Sequence, residues 1–299
     1  MLYGLRDKYN RFRFARACAG VMQTPPARLD SQSNVLLFTQ LQHKDVLLAL
    51  IAVKSFVGKV PIGSVRILND GSLTSTDLAV LETHLPGVEF LNLETVRTAA
   101  CPIGGTWERL LWISRLSRDC FVIQLDSDTL TIDELPEVKA CIAEGRSFVI
   151  GTWDNQKFES MAFRRAEAAR YLAAHVGNPH VQLLAEANFD KLEQYESLRY
   201  ARGCSGFSGF AQGSVDTGFI ERISQQMRAA IGDAWHRWGS EQVMSNIVVA
   251  HDRRAVVLPH PKYCDCTKVR AGATAFVHFI GSCRFVGDVY SNLARKVIS

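Results

Sequence analysis

The sequence predicts an α/β fold: one mostly parallel sheet with helices on its faces. Short β-rich runs alternate with longer amphipathic ones from Val35 to Leu125, the rhythm of βαβ units. The run Phe121 to Leu125 is apolar with one polar interruption, as a strand buried on both faces requires. At 299 residues and 47% hydrophobic content, the chain can bury one large core.

The elements follow in order. Residues 1–33 show weak periodicity and end in the loop-like Thr24, Pro25 and Pro26, so they are read as an extension, either packed on the domain or partly mobile, and residues 34–299 as one domain. Strands are predicted at Val35 to Thr39, Val65 to Leu68, Val88 to Leu91 and Phe121 to Leu125. Between them, helices are predicted through Leu50, from Thr74 to His84 and from Trp107 to Leu116. The second half is less regular. It offers a strand at Phe148 to Ile150, a helix from Arg164 to His175, a Gly/Ser-rich run from Gly203 to Gly213 and a strand at Ala255 to Leu258. A further helix begins near Ser240, which is read as its N-cap. An acceptor site is expected somewhere in this half.

Composition narrows the partners. With 34 Lys and Arg against 30 Asp and Glu, the net charge is +4, mild and evenly spread, so no nucleic-acid surface is expected while small anions remain compatible. The longest purely apolar run, Val46 to Val53, is far below the roughly 18–20 residues of a membrane helix. The first twenty residues mix Arg6, Lys8, Arg11, Arg13 and Arg16 with Phe12 and Phe14 and lack a secretory apolar stretch, so a cytoplasmic location is the default. The same basic aromatic mixture is compatible with peripheral membrane association. All eight cysteines are read as free thiols. Cys264 and Cys266, one residue apart, are poor geometry for zinc.

The segment Val122-Ile-Gln-Leu-Asp126-Ser-Asp128-Thr carries the strongest chemical signal. A buried strand delivers two carboxylates to its carboxyl end, the edge of an open α/β sheet where ligands bind. Alternate residues of extended chain face the same side, so Asp126 and Asp128 can converge on one hard cation, Mn²⁺ or Mg²⁺, and leave positions for phosphate oxygens. The residues alone leave a second reading open, an Asp pair that caps the next turn.

Several segments together resemble the GT-A glycosyltransferases over roughly residues 34–285: Ile67-Leu-Asn-Asp70-Gly-Ser after the second strand, and the Asp126/Asp128 pair as the Asp-x-Asp signature. A narrower resemblance is to the retaining family that includes glycogenin and bacterial lipooligosaccharide galactosyltransferases. Trp107-Glu-Arg109-Leu is similar to its aromatic-x-Arg-Leu helix, and Glu241-Gln242-Val-Met-Ser-Asn246 to its Asp-Gln-Asp-x-x-Asn, with Glu and Val replacing the two Asp. His278-Phe-Ile-Gly281-Ser-Cys-Arg284 resembles its His-x-x-Gly-x-x-Lys, without the following Pro-Trp. Cys204-Ser-Gly206 resembles its Asn-x-Gly sugar-pocket segment without the Asn, although these glycines equally suit a tight turn. Trp235, His236 and Trp238 suit a carbohydrate ring or a core.

The resemblance implies a Mn²⁺- or Mg²⁺-dependent transfer of a sugar from a nucleotide-sugar donor, expected to be a UDP-hexose, to a saccharide or other hydroxyl acceptor. It implies Asp126, Asp128 and His278 as metal ligands, Asp70, Arg109, Ser127, Gly281 and Arg284 at the donor, and Glu241 and Gln242 beside the reacting sugar. Without it, Arg109 reads equally as a helix-surface residue and His278 as a satisfied core histidine. An inverting enzyme would use Glu241 as general base instead. Two alternatives belong to other classes. A sugar nucleotidyltransferase would want a Gly-rich loop after the first strand, where Leu37-Phe-Thr-Gln-Leu-Gln-His stands instead. An inactive glycan- or nucleotide-binding protein could keep the fold and lose the chemistry.

Overall fold

The chain is described from a computed structural model covering residues 2–281 and 283–298, with side chains from residue 8 onward. Met1, Ser282, Ser299 and the Arg6 side chain of the basic N-terminal stretch lie outside the described residues.

Runs rich in Val, Ile, Leu and Phe form the strands β1 (Val35–Leu41), β2 (Ser64–Asn69), β3 (Glu89–Asn92), β4 (Phe121–Leu125), β5 (Thr129–Thr131) and β6 (Phe148–Ile150). They continue with β7 (Glu159–Ser160), β8 (Arg199–Tyr200), β9 (Cys204–Phe210), β10 (Val256–Leu258), β11 (Tyr263–Asp265) and β12 (Phe276–His278). The helices are α1 (Leu2–Cys18), α2 (Val46–Val57), α3 (Ser75–His84), α4 (Trp107–Leu116), α5 (Pro136–Ala143), α6 (Met161–Ala174), α7 (Val181–Ala187), α8 (Thr217–Ile231), α9 (Ser240–His251) and α10 (Val289–Ile298).

Seven strands form the central sheet in the order β10-β6-β9-β4-β1-β2-β3. β1 runs parallel to β2 and β4, β2 to β3, and β10 to β6, while β9 is antiparallel to β4 and β6. The fold class expected from the sequence is therefore the one observed. One apolar layer packs α2 and α10 against one face, and another packs α4, α8 and α9 against the other. The chain leaves β1 first toward β2 and β3, then returns to place β4 on the other side. That reversal opens a crevice beyond the carboxyl ends of β1 and β4, where ligands bind in such sheets.

Some expectations change. The Gly/Ser-rich run is largely strand β9, inside the sheet rather than in a turn. A Cβ on Gly206 would come within 2.1 Å of the His278 ring, and one on Gly209 within 2.2 Å of Phe148, so these glycines admit neighbouring rings. The N-cap of α9 is Gly239 at φ 98°, not Ser240; glycine makes the turn, and the freed Ser240 hydroxyl accepts from Trp107 Nε1 at 2.9 Å. Cys266 and Cys283 form a disulfide, and the other six cysteines are free. Pairing of β11 with β12 brings the flanks of the two strands together, which spacing along the chain did not reveal. The N-terminal segment adds Phe14, Cys18 and Val21 to the core. Among the described residues, no helix is long and apolar enough to cross a membrane.

Candidate metal and donor site

β4 ends at Leu125, so Asp126 leaves the sheet at the crevice, its N–H donating to Gly206 O at 2.9 Å. The chain turns at Ser127 and re-enters extended structure as β5. β12 pairs antiparallel with β5 and sets His278 opposite Thr129, and Phe279 N donates to Asp128 O at 2.8 Å. This register carries the imidazole to the carboxylates from a position 150 residues later.

His278 Nε2 lies 3.2 Å from Asp128 Oδ1 and 3.8 Å from Asp126 Oδ2. One ligand atom from each of the three residues fits within 4.8 Å of the others. The opposite carboxylate oxygens are held by other donors: Asp126 Oδ1 by the Arg109 guanidinium and the Gln124 amide Nε2 (3.0 Å), Asp128 Oδ2 by the Arg284 guanidinium. Two oxygens and one ring nitrogen thus remain turned toward a common point, a donor set that could hold a divalent cation. The other imidazole nitrogen, Nδ1, meets Cys204 Sγ at 3.1 Å, which fixes the ring. Burial opposes charge on both partners. Even so, the Cys204 sulfur and the Asp128 carboxylate raise the His278 pKa well above its usual value, and His278 and Arg284 hold the Asp128 carboxyl below the carboxylate range.

Arg109 is buried on α4 and also reaches Glu241 in the first turn of α9, with Nη2 at 3.2 Å from Oε2 and 3.3 Å from Oε1. Burial raises the Glu241 carboxyl above the usual range, against the pull of Arg109 and the Thr106 hydroxyl. Thr106 Oγ1 donates to Glu241 Oε2 at 2.8 Å. Thr106 adopts φ 74° after Gly104 and Gly105, both also at positive φ. A β-branched residue there is strained, and such strain collects at functional sites.

Thr106, Arg109, Asp126, Asp128 and Arg284 line a cleft of about 280 Å³ that also takes in Gln40, Gln42, Asp45, Asp70, Ser127 and Trp238. Asp70 accepts from Ser72 N (2.9 Å) and Ser72 Oγ (2.6 Å), which orders the loop after β2. Of the residues named from sequence, Asp70, Arg109, Asp126, Ser127, Asp128 and Arg284 line this cleft; His278 and Glu241 contact them directly. Gln242 faces elsewhere, with Oε1 accepting from Ser205 N at 3.4 Å, and Gly281 is exposed outside the cleft. Trp235 is core, edge-on to Trp107 at 5.6 Å, whereas Trp238 is 78% exposed at the cleft. Sequence reasoning missed Gln124, whose Nε2 reaches Asp126, and the roles of Thr106 and Cys204. Gln124 was the one polar residue in the apolar strand before Asp126, a signal that was available.

No protein-family model matches the chain, and no curated protein sequence matches it. Among solved structures, the bifunctional glycosyltransferase WbbM in its apo form superposes with a TM-score of 0.53 at 12% identity, over 89% of this chain and 50% of that one. The chain spans about half the length of that protein. Two others align at lower scores. The galactosyltransferase LgtC, in complex with donor and acceptor sugar analogues, gives 0.47 at 12% identity, over 87% of this chain and 95% of that one. Mouse xyloside xylosyltransferase 1, apo form, gives 0.48 at 13% identity, over 84% and 98%. The likeness to WbbM concerns the fold: the chain has the GT-A glycosyltransferase fold.

Proposed function

We propose that the chain is a divalent-cation-dependent glycosyltransferase that moves a sugar from a nucleotide-sugar to a hydroxyl acceptor. One observation carries the reading. At the switch point of the sheet, Asp126 Oδ2, Asp128 Oδ1 and His278 Nε2 converge at the rim of an open cleft. A divalent cation held there supplies Lewis-acid neutralisation of the departing diphosphate. Mn²⁺ is the natural occupant, given two carboxylates and an imidazole.

The chain's own residues do the rest. Arg284 and Arg109 hold the carboxylates and add fixed positive charge beside the diphosphate, where preorganised charge is most effective. Asp70 and Ser127 line the same cleft and are the donor-side hydrogen-bond partners. Glu241, buried against Arg109 and bonded to Thr106, is the carboxylate beside the cleft that does not belong to the metal set; it stabilises the oxocarbenium-like sugar or, in an inverting reaction, draws the proton from the acceptor. Trp238 offers an exposed ring for the sugar at the cleft mouth. The donor base is expected to be uracil and the sugar a hexose. The compartment enters through the Cys266–Cys283 bond, which favours an oxidising setting over the cytoplasmic default.

The test is a Mn²⁺ titration with and without UDP and GDP, followed by a donor screen read by nucleotide release. The native chain is expected to bind nucleoside diphosphate only with the cation and to release nucleotide from one donor, and Asp128→Ala to lose both. Undiminished release in that variant sinks the metal assignment. Metal-dependent nucleotide binding with no release from any donor favours the inactive binding protein.

A further inference from the structure

A second cavity, of about 470 Å³, lies between α6 and the start of α7 and is lined by Arg164, Glu167, Tyr171, His180, Gln182 and Arg202, with Leu183. It is built by the segment between β6 and β9. We propose that this cavity is an acceptor site for a neutral saccharide. The proposal rests on the glycosyltransferase reading above and names the substrate class that reading leaves open.

The cavity touches the metal cleft through one ring contact. His180 meets the ring of Trp238 edge-on, with centroids 5.9 Å apart, and Trp238 lines the cleft. Gln182 Oε1 accepts from Gln242 Nε2 at 3.4 Å, and Gln242 adjoins Glu241. Gly239 permits this close approach, since a Cβ there would stand 2.6 Å from the His180 ring. A ligand in the cavity that extends past Trp238 would present a hydroxyl to the donor cleft.

Its lining fits an uncharged polyol. Arg164 Nε lies 2.5 Å from Glu159 Oε2, and Arg202 Nε 2.9 Å from each Glu186 oxygen. Glu167, in the wall, pairs with Arg170 Nη1 at 2.8 Å, so the three guanidinium groups in and beside the wall are each matched by a carboxylate, which leaves no net positive charge for a phosphate or uronate. The planar edges of these pairs and the Gln182 amide suit hydroxyl groups, which both donate and accept. Tyr171 stacks on His175 at 4.0 Å yet stays 52% exposed, a ring face on which a sugar can lie. The volume suits a ligand of one or two rings.

Saturation-transfer NMR on the native chain with maltose, cellobiose and β-1,4-mannobiose, without donor or cation, tests the proposal, with glucose 6-phosphate as the charged comparison. At least one disaccharide is expected to bind, and Tyr171→Ala and Gln182→Ala are each expected to weaken it by about ten-fold. Tyr171 is on the surface, so its variant retains the fold. The proposal is overturned if none of the three disaccharides binds, if both variants bind as tightly as the native chain, or if glucose 6-phosphate binds more tightly than every disaccharide. Because donor and cation are absent, this result stands apart from the Mn²⁺ titration: failure there removes the donor reading and leaves a glycan site, and failure here removes only the acceptor assignment.

Discussion

Gly206 leaves no space for a methyl group, because a Cβ there would sit 2.1–2.7 Å from three atoms of the His278 imidazole. Gly206→Ala must therefore displace the ring, although the variant keeps all three ligand residues. Mn²⁺ affinity is expected to fall about 10–100-fold, the scale on which mispositioning a ligand acts, and calorimetric titration measures it. A wild-type affinity would mean that His278 is no ligand. Arg109 makes a different prediction, since it holds Asp126 and buried Glu241 together. Arg109→Met strands the Glu241 carboxylate in a site that already disfavours its charge, and is expected to destabilise the chain by about 3–5 kcal/mol in urea unfolding. Adding Glu241→Gln should recover part of that loss, because an amide needs no counter-charge.

At the scale of elements, α3 starts with a capping box: Asp77 N donates to Thr74 Oγ1 at 3.2 Å, and Thr74 N donates to Asp77 Oδ2 at 2.7 Å. His43 Nδ1 adds a bond to the same oxygen at 2.7 Å. Burial alone would raise the Asp77 carboxyl, but these bonds outweigh it and hold it below the ordinary aspartate value of 3.8. The stabilisation is therefore present above 3.8, the unfolded value, and is lost as pH falls through the lower folded value. Asp77→Ala should cost about 0.5–2 kcal/mol at pH 7, and in denaturant titrations that difference should shrink as pH drops below 3.8. A difference that holds constant down to pH 2 would rule the carboxylate out as its source. The helix Trp107–Leu116 and the apolar strand Phe121–Leu125 were legible in the sequence and lie where expected, as do the short, wholly apolar runs of β6 and β10. β5, β11 and β12 are equally short but carry Thr129 and Thr131, Asp265 and His278, so no apolar run marks them. β9 was hidden because glycine ordinarily weakens a strand, whereas here it makes room for aromatic and imidazole rings. α8 had a readable start in Asp216, whose carboxylate accepts from Gly218 N and Phe219 N, each at 3.1 Å.

For the whole molecule, the acidic pair was legible because both carboxylates sit on one strand end. The second layer around it was not, because Cys204, Thr106 and Glu241 meet Asp126, Asp128 and His278 only through the register of β4, β9, β5 and β12 and the docking of α9. The N-terminal segment teaches the same lesson. Its weak periodicity left open whether it packs on the domain, and the Phe14 ring packs 4.4 Å from Tyr290 and 5.3 Å from Phe285, with Cys18 and Val21 fully buried. Arg11 pairs with Asp45 at 2.7 Å, and Asp45 lines the metal cleft. α1 thus braces both the segment that carries Arg284, next to Phe285, and the turn that follows β1. Deleting residues 2–23 uncovers Phe14's partners and removes two fully buried side chains, so stability is expected to fall by about 3–6 kcal/mol, measured by urea unfolding. Phe14→Ala should account for about 3–5 kcal/mol by itself. Both variants should also weaken Mn²⁺-dependent binding of UDP, because Phe285 loses its aromatic neighbour and Arg284 loses the packing that holds it against Asp128. If the deletion leaves both stability and UDP binding unchanged, α1 is a passive extension and the bracing of the cleft comes from α10 alone.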